Sequence, residues 1–164
     1  MVIKTSSAPL SSGRGNKSEQ VVRWFQQPLP YHKIRAMDSL FKLSLIGAGG
    51  FTGAVLRFLV SSWAQGCTGS LIFPFGTLTV NMIGCLLIGF LSAVVELKIM
   101  LSAEIRSFIF IGFLGAFTTF STFGNETLSL IRANRIELAL LNAGGQVILG
   151  VFLVWLGRIV AGLL

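Results

Sequence analysis

Four stretches of the chain are almost uninterruptedly apolar, at about residues 43–63, 76–95, 105–131 and 138–161, and polar residues gather in the short pieces between them. Each stretch is long enough to cross a hydrocarbon core of about 30 Å, which takes roughly 20 helical residues. None alternates apolar and polar residues as a barrel strand does. In lipid, only helices and closed barrels satisfy their own backbone, so the pattern predicts four transmembrane helices. The connections at 64–75, 96–104 and 132–137 carry the turn residues and charges: Gly66, Gly69 and Pro74 in the first, Glu96, Lys98 and Glu104 in the second, Arg132, Arg135 and Glu137 in the third. An even number of spans puts both termini on one side.

Composition agrees. Apolar residues are 53% of the 164, charged ones 12%, and mean hydropathy is +0.80, whereas soluble domains carry about 25% charged residues. The formal charge of +7 is concentrated at the start: residues 1–42 hold seven Lys/Arg against two acids, residues 43–164 six against four. These basic residues form no nucleic-acid-binding pattern, which leaves anionic lipid headgroups as their expected partner. Residues 1–39 read as a polar basic tail ahead of a four-helix transmembrane unit over 40–164. The tail lacks the apolar core of a secretory signal. It is open to three readings: an artefact of an upstream start with Met37 the initiator, a disordered extension, or an organelle transit peptide. Cys67 falls in a loop and Cys85 inside a span, so no disulfide is expected. No Cys/His cluster suggests a zinc-type site, and no nucleophile, base and orienting acid assemble into an enzyme site.

Two features stand out within the spans. Gly49 and Gly53 form G-x-x-x-G in the first, and Gly112 and Ala116 repeat the small-xxx-small spacing in the third; both let backbones approach, within one bundle or at a subunit interface. The other is the run GAFTTFSTFGNE over 115–126. Phe120 and Phe123 are three apart on one helical face. Thr118, Thr119, Ser121 and Thr122 interleave with them, and Asn125 and Glu126 follow. So many polar groups at membrane depth mean a polar track, or backbone that has left helical geometry beside protein or water. Asn81 lies in the second span with Thr77 one turn before it. It is either an interhelical hydrogen bond or an NH2 donor aimed at a passing anion. Arg57 near the end of the first span either reaches the headgroups or faces a solute path. Glu126 is an ionisable group inside a span and a functional candidate for that reason. Asn142 and Gln146, four apart, extend a polar stripe on the fourth span. Donors dominate, and aromatic edges are electropositive; the chemistry points to an anion without choosing which.

GGFTGAVLRF (49–58), GTLTVNMIG (76–84), GFLGAFTTFSTFGNE (112–126) and, less specifically, LLNAGGQVILGVFLVWLG (140–157) resemble the Fluc/CrcB family of fluoride channels. The resemblance implies a passive fluoride-selective channel that relieves fluoride toxicity in the inner membrane. Its fold is an all-α integral membrane subunit with a broken third helix, paired with itself as an antiparallel, dual-topology homodimer with two pores. It implies that Phe120 and Phe123 line the pores with ring edges, that Asn81 is the pore-side amide, that Ser121 and Thr122 are hydroxyls beside the rings, that Glu126 belongs to the polar track and Arg57 to a vestibule. It also implies a structural sodium ion at the dimer centre, facing the backbone carbonyls of Gly115 and Thr118. Ala116 and Gly124 depart from the family pattern, which more often has glycine and serine there. Two other functions were open on composition: a small dual-topology multidrug exporter, which needs a carboxylate that the first span lacks, and a noncatalytic assembly subunit, which leaves the polar third span unexplained.

Overall fold

The computed structural model describes residues 36–97 and 101–163. All their regular structure is helical. Helix α1 is Ala36–Thr68 and α2 is Phe75–Leu97. Helix α3 comprises an α-helical turn, Ala103–Arg106, a π-helical stretch, Ser107–Leu114, and a last turn, Gly115–Phe117. Helix α4 is Phe120–Arg132 and α5 is Ile136–Gly162. Helices α3 and α4 together make the third span, so among the described residues four helical segments have the length and apolarity to cross a membrane. The expected tail lies outside the described residues as far as residue 35, and Lys98 in the second connection lies outside them too. From Ala36 the chain is already helical, a little before the boundary read at residue 40.

The first connection is shorter than its turn residues suggest, because α1 continues through 64–68. Gln65 ties this extension to the loop. From its helical position its Nε2 donates to the carbonyls of Ser70 and Phe73, and its Oε1 accepts the Gly76 amide at 3.0 Å, so one side chain staples the loop between α1 and α2. Gly69 supplies the left-handed residue (φ 61°) that starts the loop. Helix α4 ends in a Schellman turn. Asn134 takes φ 57°, its amide donates to Ile131 O, and the Arg135 amide donates to Leu130 O. At the opposite ends of α2 and α5, Arg158 holds Glu96 through both guanidinium nitrogens, at 2.7 and 3.2 Å. The pair is solvent-facing and worth about 1 kcal/mol at most, but it places those two helix ends on one side.

The helices meet through glycines. A Cβ on Gly49 would fall on Phe108 O, one on Gly53 on Phe113 O, and one on Gly112 on Ile46 O, so α1 and α3 cross with backbone on backbone. Packing inside one subunit, one of the two compatible uses read for these small residues, is present here. Gly89 and Gly157 do the same between α2 and α5, against Val154 O and Leu86 O. The outward faces are apolar and large, with Phe51, Phe58 and Trp63 on α1 and Leu140, Ile148 and Val151 on α5 all well exposed. Such a surface suits lipid or another subunit. The chain is a multi-pass membrane protein.

A first consequence concerns folding. Gly53→Val puts a branched side chain against a backbone oxygen that cannot rotate away, and overpacking of this kind costs about 1–3 kcal/mol or more. We expect the yield of monodisperse protein in detergent to collapse, whereas Gly47→Val, where an added Cβ has open space, keeps it. Equal yields of the two variants would contradict the crossing described above.

Candidate pore site at the break in the third span

Two consecutive residues in extended conformation interrupt the third span: Thr118 (φ −87°, ψ 159°) and Thr119 (φ −149°, ψ 113°). The hydroxyl-rich run read in the sequence therefore includes backbone that has left helical geometry. Its polar groups are then satisfied by side chains. Thr119 Oγ1 caps α4 by accepting the Thr122 amide at 3.2 Å, and donates to Thr122 Oγ1 at 2.9 Å, with Ser121 Oγ 3.3 Å away. Thr118 Oγ1 turns back to Leu114 O at 3.0 Å. Gly84 on α2 makes room for the break, since a Cβ there would meet the Thr118 methyl group.

Asn81 reaches the break from α2 and treats Thr119 as a strand neighbour would. Its Oδ1 accepts the Thr119 amide at 2.9 Å and its Nδ2 donates to Thr119 O at 3.2 Å. The second Nδ2 hydrogen goes to Gln146 Oε1 on α5, at 2.7 Å. The interhelical hydrogen bond read for Asn81 is thus present, and both of its N–H groups are engaged. For the amide also to meet an anion, one of these bonds has to give.

The ring pair lies just beyond. Phe120 and Phe123 have centroids 5.3 Å apart, tilted by 55°. Phe120 is 83% exposed in the single subunit and Phe123 half-buried. Both border a hollow of about 380 Å³ that Asn81, Thr118, Thr119 and Gln146 also line. A second hollow, about 660 Å³, opens near the α1–α2 loop between Ser61, Gln65, Thr77 and Glu126. There Thr77 Oγ1 donates to Glu126 Oε1 at 2.6 Å, while Glu126 Oε2 is buried without a partner among the described residues. Ser121 and Thr122 are exposed beside the rings. Arg57 is not brought to this group: half-buried on α1, it borders neither hollow and lies one turn before Ser61, which borders the second.

The break also frees two carbonyls. In an unbroken helix Gly115 O would receive the Thr119 amide and Thr118 O the Thr122 amide. Here the first amide is given to Asn81 and the second to Thr119 Oγ1. Gly115 and Thr118 are the residues to which the family resemblance assigns sodium, and backbone carbonyls relieved of their amides are hard oxygen donors of the kind such a cation takes.

The family model for CrcB-like protein, Camphor Resistance (CrcB), matches residues 44–158. The chain belongs to the CrcB family. Among its relatives, a protein of Hydrogenovibrio crunogenus is 46% identical over 123 residues, covering 74% of this chain and 92% of that one. One of Methanosarcina acetivorans is 39% identical over 122 residues, covering 74% and 92%. One of Shewanella frigidimarina is 47% identical over 114 residues, covering 70% and 90%. The first and third bear the name "Fluoride-specific ion channel FluC", and the second the same name numbered 1. The CrcB family is not catalytic, and this chain is not an enzyme.

The CrcB match ends at 158, so it takes in all of the polar groups just described. Three of their links were not read from the sequence. Thr77 was noted only as a neighbour of Asn81, and its bond to Glu126 depends on how α2 and α4 dock. The stripe of Asn142 and Gln146 was read from its spacing, but not that Gln146 ends on Asn81. Thr127, which receives a bond from Asn142, carried no signal at all. The one available hint was register: Thr77 with Asn81, and Asn142 with Gln146, are pairs four apart, so each helix shows one polar face.

Proposed function

We propose that the chain forms a passive, fluoride-selective channel that lets fluoride leave the cell across the inner membrane and so relieves its toxicity. One observation carries this reading. The third span opens at membrane depth onto a hollow bordered by a paired set of aromatic rings, an amide and hydroxyls. Fluoride is small and strongly hydrated, and a pore can strip its water only by offering several donors in exchange. The name shared by the relatives supports the choice of fluoride over other anions. In this reading Phe120 and Phe123 present electropositive ring edges, Asn81 and the hydroxyls of Ser121 and Thr122 give hydrogen bonds, Glu126 and Thr77 continue the track, and Arg57 attracts anions to the outer mouth.

The working unit in this proposal is an antiparallel homodimer with two pores. A sodium ion is held at its centre by the Gly115 and Thr118 carbonyls, where its positive charge offsets the cost of desolvating an anion nearby. The exposed Phe120 ring suits a site completed by a second copy. The test of the function is efflux from proteoliposomes loaded with fluoride or chloride. Fluoride release without chloride release supports the channel, and fluoride retention rejects it. Efflux of a cationic drug in exchange for protons would point to the exporter instead.

Dual topology has its own test. Orientation follows Lys/Arg counts near the span ends. From Met37 onward the terminal side holds Lys42, Lys98, Arg106 and Arg158, and the other side Arg57, Arg132 and Arg135. Four against three is nearly balanced, as two orientations of one chain require; the tail adds six basic residues to the terminal side. Our hypothesis is that residues 1–36 are not needed for transport. A chain beginning at Met37 is expected to keep its efflux and to show terminal tags on both faces of the membrane. Loss of efflux on truncation, or tags on one face only in active protein, would refute it.

A further inference from the structure

A buried row of hydrogen bonds runs from Asn81 to the ring pair by a route that the pore roles above do not use. Asn81 Nδ2 donates to Gln146 Oε1 at 2.7 Å, and Gln146 Nε2 donates to Asn142 Oδ1 at 3.1 Å. Asn142 Nδ2 donates to Thr127 Oγ1 at 2.8 Å, and Thr127 Oγ1 donates to Phe123 O at 2.8 Å. Every donor points the same way, so each bond polarises the next. Asn142 is fully buried and Gln146 nearly so. Two buried amides are costly unless each is paired, and here they pair with one another, with the Asn81 amide and with α4. The row joins α2, α5 and α4. It begins on the amide that clamps the break and ends on the backbone of a ring residue.

We propose that Gln146 is a positioning residue for anion transport. Thr119 already sets which end of the Asn81 amide is nitrogen, and Gln146 Oε1 adds a third bond that holds the NH2 group from the side of α5. Through Asn142 and Thr127 it also ties that amide to α4 at the backbone of Phe123, so that α2, α5 and α4 are held together beside the rings. Without the Gln146 acceptor the Asn81 amide is held only by its two bonds to Thr119, at 2.9 and 3.2 Å, and by nothing from α5. The inference rests on the channel reading, and it concerns how the Asn81 amide is held beside the break rather than whether fluoride passes.

The test is a coupling experiment in proteoliposomes with wild type measured alongside. Gln146→Met keeps length and apolar bulk and removes both hydrogen-bonding groups. We expect fluoride efflux to fall about tenfold, a coupling of about 1.4 kcal/mol. In an Asn81→Ser background the same change is expected to alter the rate little, because its route of action has gone. Gln146→Met also orphans Asn142 Oδ1, so Asn142→Leu/Gln146→Met is made in parallel. It replaces both buried amides and removes that penalty, while Asn81 still lacks its acceptor. A tenfold loss that persists in this paired variant supports positioning. Recovery of wild-type efflux in it overturns the proposal and assigns the amides to folding alone. A full tenfold loss in the Asn81→Ser background overturns it as well, as does wild-type efflux from Gln146→Met. A wild type that releases no fluoride rejects the channel reading and this inference together.

Discussion

Phe120→Ile and Phe123→Ile are each expected to stop fluoride efflux while the protein remains folded. Isoleucine keeps apolar bulk but has no ring, so the electropositive edge offered to the anion disappears. Stability changes little by comparison. The pair of rings contributes about 0.5–1.5 kcal/mol beyond the area it buries, and Phe120, at 83% exposed, packs against little else in its own subunit. A loss of function much larger than the loss of stability therefore separates a pore role from a packing role. The measurement is efflux per folded protein, with folding read by gel filtration. Near-wild-type rates from well-folded Phe120→Ile would remove the rings from the pore.

Asn81→Asp is expected to lower fluoride transport by about a thousandfold. Aspartate matches asparagine in shape but replaces the NH2 group with oxygen. Thr119 O and Gln146 Oε1 then lose their donor, and leaving a buried acceptor unpaired costs about 1–3 kcal/mol. If ionised, the new carboxylate also repels the anion: about 4 kcal/mol at a separation of 4 Å and an effective dielectric of ~20, roughly three decades in rate. Asn81→Ser keeps a donor and adds no charge, so its loss is expected to be far smaller. Equal rates for the Asp and Ser variants would show that the amide acts as a clamp alone and not as a donor to the anion.

The parts of this fold legible in the sequence are those written in local composition. Span number follows from apolar length, and a run of hydroxyls that an oil-facing helix does not need leaves open either a polar track or a break, which the structure places at Thr118–Thr119. The π-helical stretch Ser107–Leu114 was not legible. Its residues, SFIFIGFL, are apolar almost throughout, and nothing in such a run distinguishes hydrogen bonding to the fifth residue from bonding to the fourth. The end of α1 lies beyond the apolar run, at Thr68, where Gln65 bonds Ser70, Phe73 and Gly76, contacts set by the loop's path. In the site, residue types were readable and connections were not. Asn81 reads as a donor, but that both its hydrogens are engaged depends on Gln146, 65 positions away in the chain.

The glycine crossings also bear on which mutations a second mutation can repair. At Gly49, Gly53, Gly89, Gly112 and Gly157 the atom that an added Cβ would strike belongs to backbone, which every residue type shares. No change of the opposing residue removes a backbone oxygen, so alleles at these five positions are poor candidates for direct second-site suppression. Gly84 is different, because what it accommodates is the methyl group of Thr118. Serine at 118 lacks that methyl and keeps the hydroxyl that bonds Leu114 O. Gly84→Ala therefore has a natural intragenic partner in Thr118→Ser, and revertants selected from a Gly84→Ala strain should be sought first at the break itself.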